Sequence, residues 1–127
     1  MFDYLNLPPQ QRIAQGRKKV VVTRLCPPGL CINLLGYFFT RNANWISDCV
    51  INHEQIHTAQ IRELWVLPFY IIYLIEWLCR YFQYWNWTAA YRNISFEREA
   101  YANGDNLDYL TTRPPLSWIQ YLKKKSC

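Results

Sequence analysis

Two histidines four residues apart, with a glutamate directly after the first, stand at His53-Glu54-Gln55-Ile56-His57. They are the only histidines in the chain. On a helix, positions i and i+4 lie about 40° apart in projection and one turn apart along the axis, so both imidazoles reach one ion. Zinc takes histidine nitrogen readily. Glu54 then sits beside the metal without competing for it, where it can take a proton from a zinc-bound water and pass it to a leaving amine. The chemistry needs each residue type at its own offset. It predicts peptide-bond hydrolysis by a metal-activated water, with Glu54 as general base and Zn2+ as cofactor. The bland alternative is an ordinary helix with two surface histidines.

A catalytic zinc needs a third protein ligand and keeps a fourth position for water. With no third histidine, that ligand must be acidic or a cysteine. Glu97 and Glu99 are two residues apart, hence about 200° apart on a helix, and only one can face the site. Glu97 shares its stripe with Ala90, Asn93, Ile94, Ala100 and Tyr101, a set that points toward packed material. Glu99 shares a solvent-like face with Arg92, Ser95, Ala102 and Asn103. A carboxylate aimed into a core is costly unless a cation meets it, and zinc would serve. The expected ligands are therefore His53, His57 and Glu97, with Glu99 second and Glu76 in reserve. Without a metal, Glu97 would pair with an arginine.

HEQIH followed downstream by FEREAY resembles a gluzincin, a zinc peptidase with two histidines on one helix and a glutamate on a later one. The later helix is similar to the Glu-x-x-Ala-Asp type found in integral-membrane and minimal gluzincins. The resemblance covers roughly residues 18–104, and the HExxH element is its specific part. It implies a zincin-like fold, with Glu97 as ligand and Ala100 at the small position. Tyr101 stands where the family usually carries an Asp that supports a zinc-bound histidine. The Tyr101 hydroxyl, Asp105 or Asp108 would have to take over that support. The resemblance also implies an edge strand beside the active helix that pairs with an extended peptide substrate, for which Gly36 to Arg41 is the candidate. Stabilisation of the transition state falls to Tyr91, Tyr101 or Arg98.

These residues need elements to hold them. At 127 residues the chain is read as a single domain over 1–127, with a polar lead-in (1–17), a core (18–104) and a C-terminal tail (105–127). Pro8-Pro9 and Gly16 break the lead-in. Lys18 to Leu25 is rich in β-branched residues and predicts a strand. Leu30 to Thr40 predicts a strand kinked at Gly36, or a short helix running into a strand. Ser47 or Asp48 caps a helix to about Leu67, where Pro68 interrupts it. A very apolar, aromatic helix follows over Phe69 to Tyr84. Thr88 caps a third helix over Ala89 to Ala102, which Asn103-Gly104 stops. The expected class is α+β, mainly α: a minimal zincin-like domain with a short N-terminal strand pair, an active-site helix, an aromatic helix and a ligand-bearing third helix.

Apolar residues at 51% and aromatics at 17% exclude wholesale disorder. Six Trp and ten Tyr suit an aromatic core or a surface that meets lipid headgroups. The net charge of +5 is concentrated in Arg12, Arg17, Lys18, Lys19 and Arg24 and in Lys123, Lys124 and Lys125, which fits an anionic surface or simply solvated termini. Leu64 to Ile75 carries no formal charge, but it is shorter than the ~20 residues of a membrane span. The rings from Trp65 to Trp87 are those of an interfacial helix, so the expectation is a cytoplasmic chain peripheral to or partly embedded in a membrane, against a buried soluble helix. The odd set of five cysteines and the lack of a secretory signal favour a reducing compartment, and the sequons at Asn86 and Asn93 are read as chance. A rival from another class is structural: Cys26 and Cys31 with His53 and His57 offer a Cys2His2 zinc set, and the basic charge would then bring nucleic acid. The 21 residues between Cys31 and His53 exceed the dozen or so of a zinc finger, and Glu54 would be idle. No nucleic acid is therefore expected; the partners are a peptide or protein substrate and a membrane surface. A zincin-like interaction module without turnover is the remaining alternative.

Overall fold

The computed structural model describes residues 3–122. The class is α+β, mainly α. The expected lead-in is instead an ordered helix, α1 (Pro9–Arg17). Pro9 sits at its first position, where a missing N–H costs nothing and the fixed φ starts the helix instead of breaking it. Gly16 is a point where α1 touches the HEQIH helix: a Cβ there would come within 2.7 Å of Ile51 Cγ2. Arg12, fully buried, donates to Asn52 Oδ1 (2.9 Å) and Gln55 Oε1 (2.7 Å) and fastens the two helices.

The expected strand pair is a three-stranded sheet of β1 (Val20–Val22), β2 (Cys31–Leu34) and β3 (Tyr37–Thr40), in the order β1-β3-β2. β1 pairs with β3 in parallel, Val20 opposite Phe38. β2 and β3 form an antiparallel hairpin, Leu34 opposite Tyr37. Leu35 and Gly36 make its turn with φ of 55° and 88°, the left-handed pair that a tight two-residue hairpin requires. So Gly36 marks a reversal of the chain and not a kink. It follows that Gly36 to Arg41 is not the edge strand, because β3 lies between the other two; the edge beside the active helix is β2.

The helix that carries HEQIH is α2 (Asp48–Leu64), with Ser47 as cap: its Oγ accepts from Val50 N at 3.3 Å. Ile51, Ile56 and Ile61 are completely buried, and so are Asn52, Gln55, Thr58 and Gln60, so the helix is enclosed on nearly every side. It stops at Trp65 (φ 61°), three residues before Pro68. Pro68 lies in the first turn of α3 (Val66–Tyr84), where backbone N–H groups have no helical partner in any case. The two helices are bent by 113°, and no single helix among the described residues is long and apolar enough to cross a membrane.

The expected third helix is two helices, α4 (Trp87–Arg92) and α5 (Ser95–Asn103). Asn86, not Thr88, caps α4, its Oδ1 accepting from Ala89 N at 3.0 Å. The break at Asn93-Ile94 is set from outside: the Glu76 carboxylate on α3 accepts from both Ser95 N and Ser95 Oγ at 2.6 Å. It thus caps α5, with its charge at the positive end of the helix dipole. The tail forms α6 (Tyr109–Thr112) and a short 3-10 turn, Ser117–Tyr121, that packs Trp118 against Phe96. Two apolar clusters hold the whole together: Ile61, Phe69, Ile94, Phe96 and Trp118 under α5, and Ile13, Phe38, Ile46 and Ile51 between α1, the sheet and α2. Lys123 to Lys125 and Cys127 lie outside the described residues.

Candidate metal centre

α2 presents His53 and His57 on one face, and α5 brings Glu97 opposite them. One ligand atom from each lies within 4.8 Å of the others. His53 Nε2 is 3.3 Å from Glu97 Oε1, and His57 Nε2 is 3.1 Å from Glu97 Oε2. Glu54 Oε2 stands 4.0 Å from His53 Nε2. Among the described residues no cysteine belongs to this group. The Cys26 thiol is taken up by the carbonyls of Leu30 and Phe39, so the Cys2His2 set is not assembled. Two nitrogens and a carboxylate are donors that zinc accepts. The fit has a second mark: His57 Nε2 and Glu97 Oε1 are buried and face only Glu97 Oε2 and His53 Nε2, in contacts that lack hydrogen-bond geometry. A divalent cation between them would give each a partner, where buried polar atoms otherwise go at a cost.

The candidate ligands are fixed from behind. The Tyr73 hydroxyl donates to Glu97 Oε2 at 2.7 Å. His57 Nδ1 lies 2.8 Å from Gln60 Oε1, while Gln60 Nε2 donates to Glu99 Oε1 at 2.9 Å and to Phe96 O at 3.1 Å. An ionised carboxylate only accepts, so the amide nitrogen of Gln60 must face Glu99 and its oxygen must face His57. Nδ1 of His57 therefore carries a proton, which leaves Nε2, facing Glu97, as the nitrogen a cation would take once the ring is neutral. Glu99 is locked in turn by Tyr109 Oη (2.7 Å) and by Arg113, which also grips Glu63 through two bonds of 2.9 Å.

No known protein family, curated protein or solved structure matches this chain.

Several expected placements are corrected by this network. Glu99 is completely buried and not on a solvent face, because the helix is broken before it and α6 with Arg113 covers its far side. It supports His57 through Gln60. Glu76 is occupied at Ser95 and Arg80, away from the histidines. Arg98 donates to Tyr121 O and is not directed at the centre. Tyr101 meets His53 through its ring, edge to face at 4.6 Å, with Arg92 stacked on the same ring at 4.1 Å. Asp105 and Asp108 are both exposed, and neither supports a histidine. Gln60, Tyr73 and Arg113 were not anticipated. Gln60 had a legible signal, three residues after His57 on the same helix face; Tyr73 and Arg113 meet the site only through the tertiary fold.

Burial and mutual charge tune the group. Burial pushes the Glu54 carboxyl up to about 8, with Glu97 adding to the shift against the pull of His57. For His57, burial alone lowers the value, but Glu97, Glu54 and the bond to Gln60 outweigh it and raise it to about 9. Burial depresses His53. Burial works to raise Glu97, yet His57 and His53 hold it well below the usual carboxylate range.

Glu54 borders two cavities. One, of about 270 Å³, is lined by His53, Cys31, Tyr91, Tyr101 and Asp105. The other, of about 620 Å³, runs between β2 and α3 and is walled by Ile32, Leu34, Phe69, Tyr70, Tyr73 and Trp77, with His57 and Glu97 at its inner end. Asn33 ties β2 to α2 by donating to Glu54 O (2.8 Å) and Thr58 Oγ1 (2.9 Å).

Proposed function

We propose that this chain hydrolyses peptide bonds with a zinc ion held by His53, His57 and Glu97. The observation that carries the reading is the joint placement of three converging metal donors and a buried carboxylate, Glu54, where two cavities meet. A bound zinc supplies Lewis acidity that activates water and polarises a carbonyl. The rest falls to the chain. Glu54, whose carboxyl burial raises to about 8 in the metal-free chain, is the group that would accept and then release a proton as general base and acid. The outer edge of β2, which pairs with no further strand among the described residues although the Tyr70 hydroxyl takes Asn33 O, supports pairing with an extended peptide, and the apolar wall of the larger cavity suits a bulky apolar side chain. Tyr91 and Tyr101 line both cavities and are the groups placed to steady charge developing on the substrate.

Compartment belongs to the same reading. Cys26, Cys31, Cys49 and Cys79 are free thiols, which supports a reducing, cytoplasmic setting. The exposed rings and aliphatic side chains of α3 support a peripheral seat at a membrane.

The test is Glu54→Gln beside His57→Ala, each measured for zinc content and for cleavage of a casein or mixed peptide library. Glu54→Gln is expected to keep zinc and lose cleavage by about 10²- to 10⁴-fold, the usual share of acid–base catalysis. His57→Ala is expected to lose both. Wild-type protein that binds zinc but cleaves nothing would make the chain a metal-binding module instead.

A further inference from the structure

The outer face of α3 is apolar and open. Leu67, Ile71, Leu74, Ile75, Leu78 and Phe82 are exposed, from 42% at Leu78 to 68% at Leu67. At 100° and 1.5 Å per residue they occupy an arc of about 100° and run about 22 Å along the helix. The two formal charges of α3 turn the other way: Glu76 caps Ser95, and Arg80 donates to Leu122 O and Gln83. At the two ends stand Trp65 and Trp85, 79% and 69% exposed. The hairpin turn extends the surface, since the Tyr70 hydroxyl bonds both Leu35 N and Asn33 O and so seats exposed Leu34 and Leu35 against α3. Beside that turn, Lys19 Nζ lies over the Tyr37 ring at 4.9 Å, and Lys18 is exposed next to it.

We infer that this stripe, with the β2–β3 turn, is the surface by which the chain docks on an anionic lipid bilayer, α3 lying in the plane of the headgroups. The inference rests on the peripheral seat proposed above and not on the metal centre. Charge decides between lipid and a second copy of the chain. A helix seam between proteins is flanked by charged positions and a polar rim. Here the neighbours round the helix are Tyr70, Trp77, Cys79, Tyr81 and Gln83, none with a formal charge. Rings with one polar end at both termini, and lysines at one flank, are what a headgroup boundary with negative lipids selects. The geometry also gives the site its supply: Tyr70 and Trp77, about 40° and 60° round the helix from Leu74, line the large cavity that ends at His57 and Glu97. That cavity therefore adjoins the docking stripe, and apolar peptide segments held at the lipid boundary are the nearest substrates.

Vesicle flotation tests this with full-length protein and two lipid mixtures, phosphatidylcholine alone and phosphatidylcholine with phosphatidylglycerol. The expected result is flotation with the anionic vesicles and a blue shift of Trp emission. Ile71→Glu/Leu74→Glu should abolish flotation. Lys18→Gln/Lys19→Gln should weaken it about fivefold per lysine, on anionic vesicles only. Ile71→Ser/Leu74→Ser serves as the milder pair, with circular dichroism to confirm that each variant folds. Equal binding to neutral vesicles, or binding untouched by the α3 substitutions, would leave a peripheral protein but overturn this face. No flotation at all, or a stable dimer in light scattering that the same substitutions split, would overturn the membrane seat itself.

Discussion

His57 has the wrong proton for a metal ligand until a metal comes. In the metal-free chain Glu97, Glu54 and Gln60 raise it to about 9, so at neutral pH the imidazole is charged, whereas a zinc ligand must be neutral. On the proposed reading, zinc binding would expel that proton. The sign follows: below about pH 9, raising the pH favours the form that binds. Zinc affinity is expected to climb about tenfold per pH unit between roughly pH 6 and 8, with at least one proton released per zinc. Titration calorimetry in buffers of different ionisation enthalpy reads both quantities. An affinity flat across that range would show that no protonated His57 has to give way to the metal. At this scale the sequence was informative, because the offsets in HEQIH alone place two imidazoles and a carboxylate on one helical turn. It misjudged Glu99, since projection on a single helix cannot know that Arg113 and Tyr109 return to cover the far face.

Elements transmit order to the centre through buried polar bonds more than through apolar contact. Arg113, from the segment after α6, ties Glu63 at the end of α2 to Glu99 on α5, and Glu99 orients the Gln60 amide behind His57. Replacing Gln60 by Leu should lower zinc affinity about 10- to 100-fold with little change in fold, the usual effect of removing a ligand's supporting bond. Replacing Arg113 by Met leaves buried Glu99 and half-buried Glu63 without their cation and is expected to cost about 3–5 kcal/mol of stability, measurable by urea unfolding. Gly16→Ala should also destabilise, by about 1–3 kcal/mol, because α1 cannot retreat from Ile51 while Arg12 holds it to α2. A neutral Gly16→Ala would mean that the α1–α2 contact is looser than described. The Ser47 cap was legible from residue type. The break between α4 and α5 was not, because nothing in Asn93-Ile94 forbids a helix; it is imposed by Glu76 arriving from α3. Nor was the hairpin, since Leu30 to Thr40 reads as one apolar run until Leu35 and Gly36 adopt positive φ.

For the molecule as a whole, a small mixed fold uses its enclosed central helix as the site's scaffold and spends its apolar surplus on the outside of α3. A metal that binds only the folded chain stabilises it by mass action, so saturating zinc at about a hundred times its dissociation constant should add about 2.7 kcal/mol. The same addition to His53→Ala/His57→Ala should do nothing, and thermal melts of both proteins with and without zinc measure the difference. The most direct measurement is X-ray absorption at the zinc edge of the loaded protein. Nitrogen and oxygen scatterers alone at about 2.0–2.2 Å, with the multiple scattering of two imidazoles, are the predicted result. Sulfur at about 2.3 Å, or a spectrum without two imidazoles, would contradict the His53, His57 and Glu97 centre.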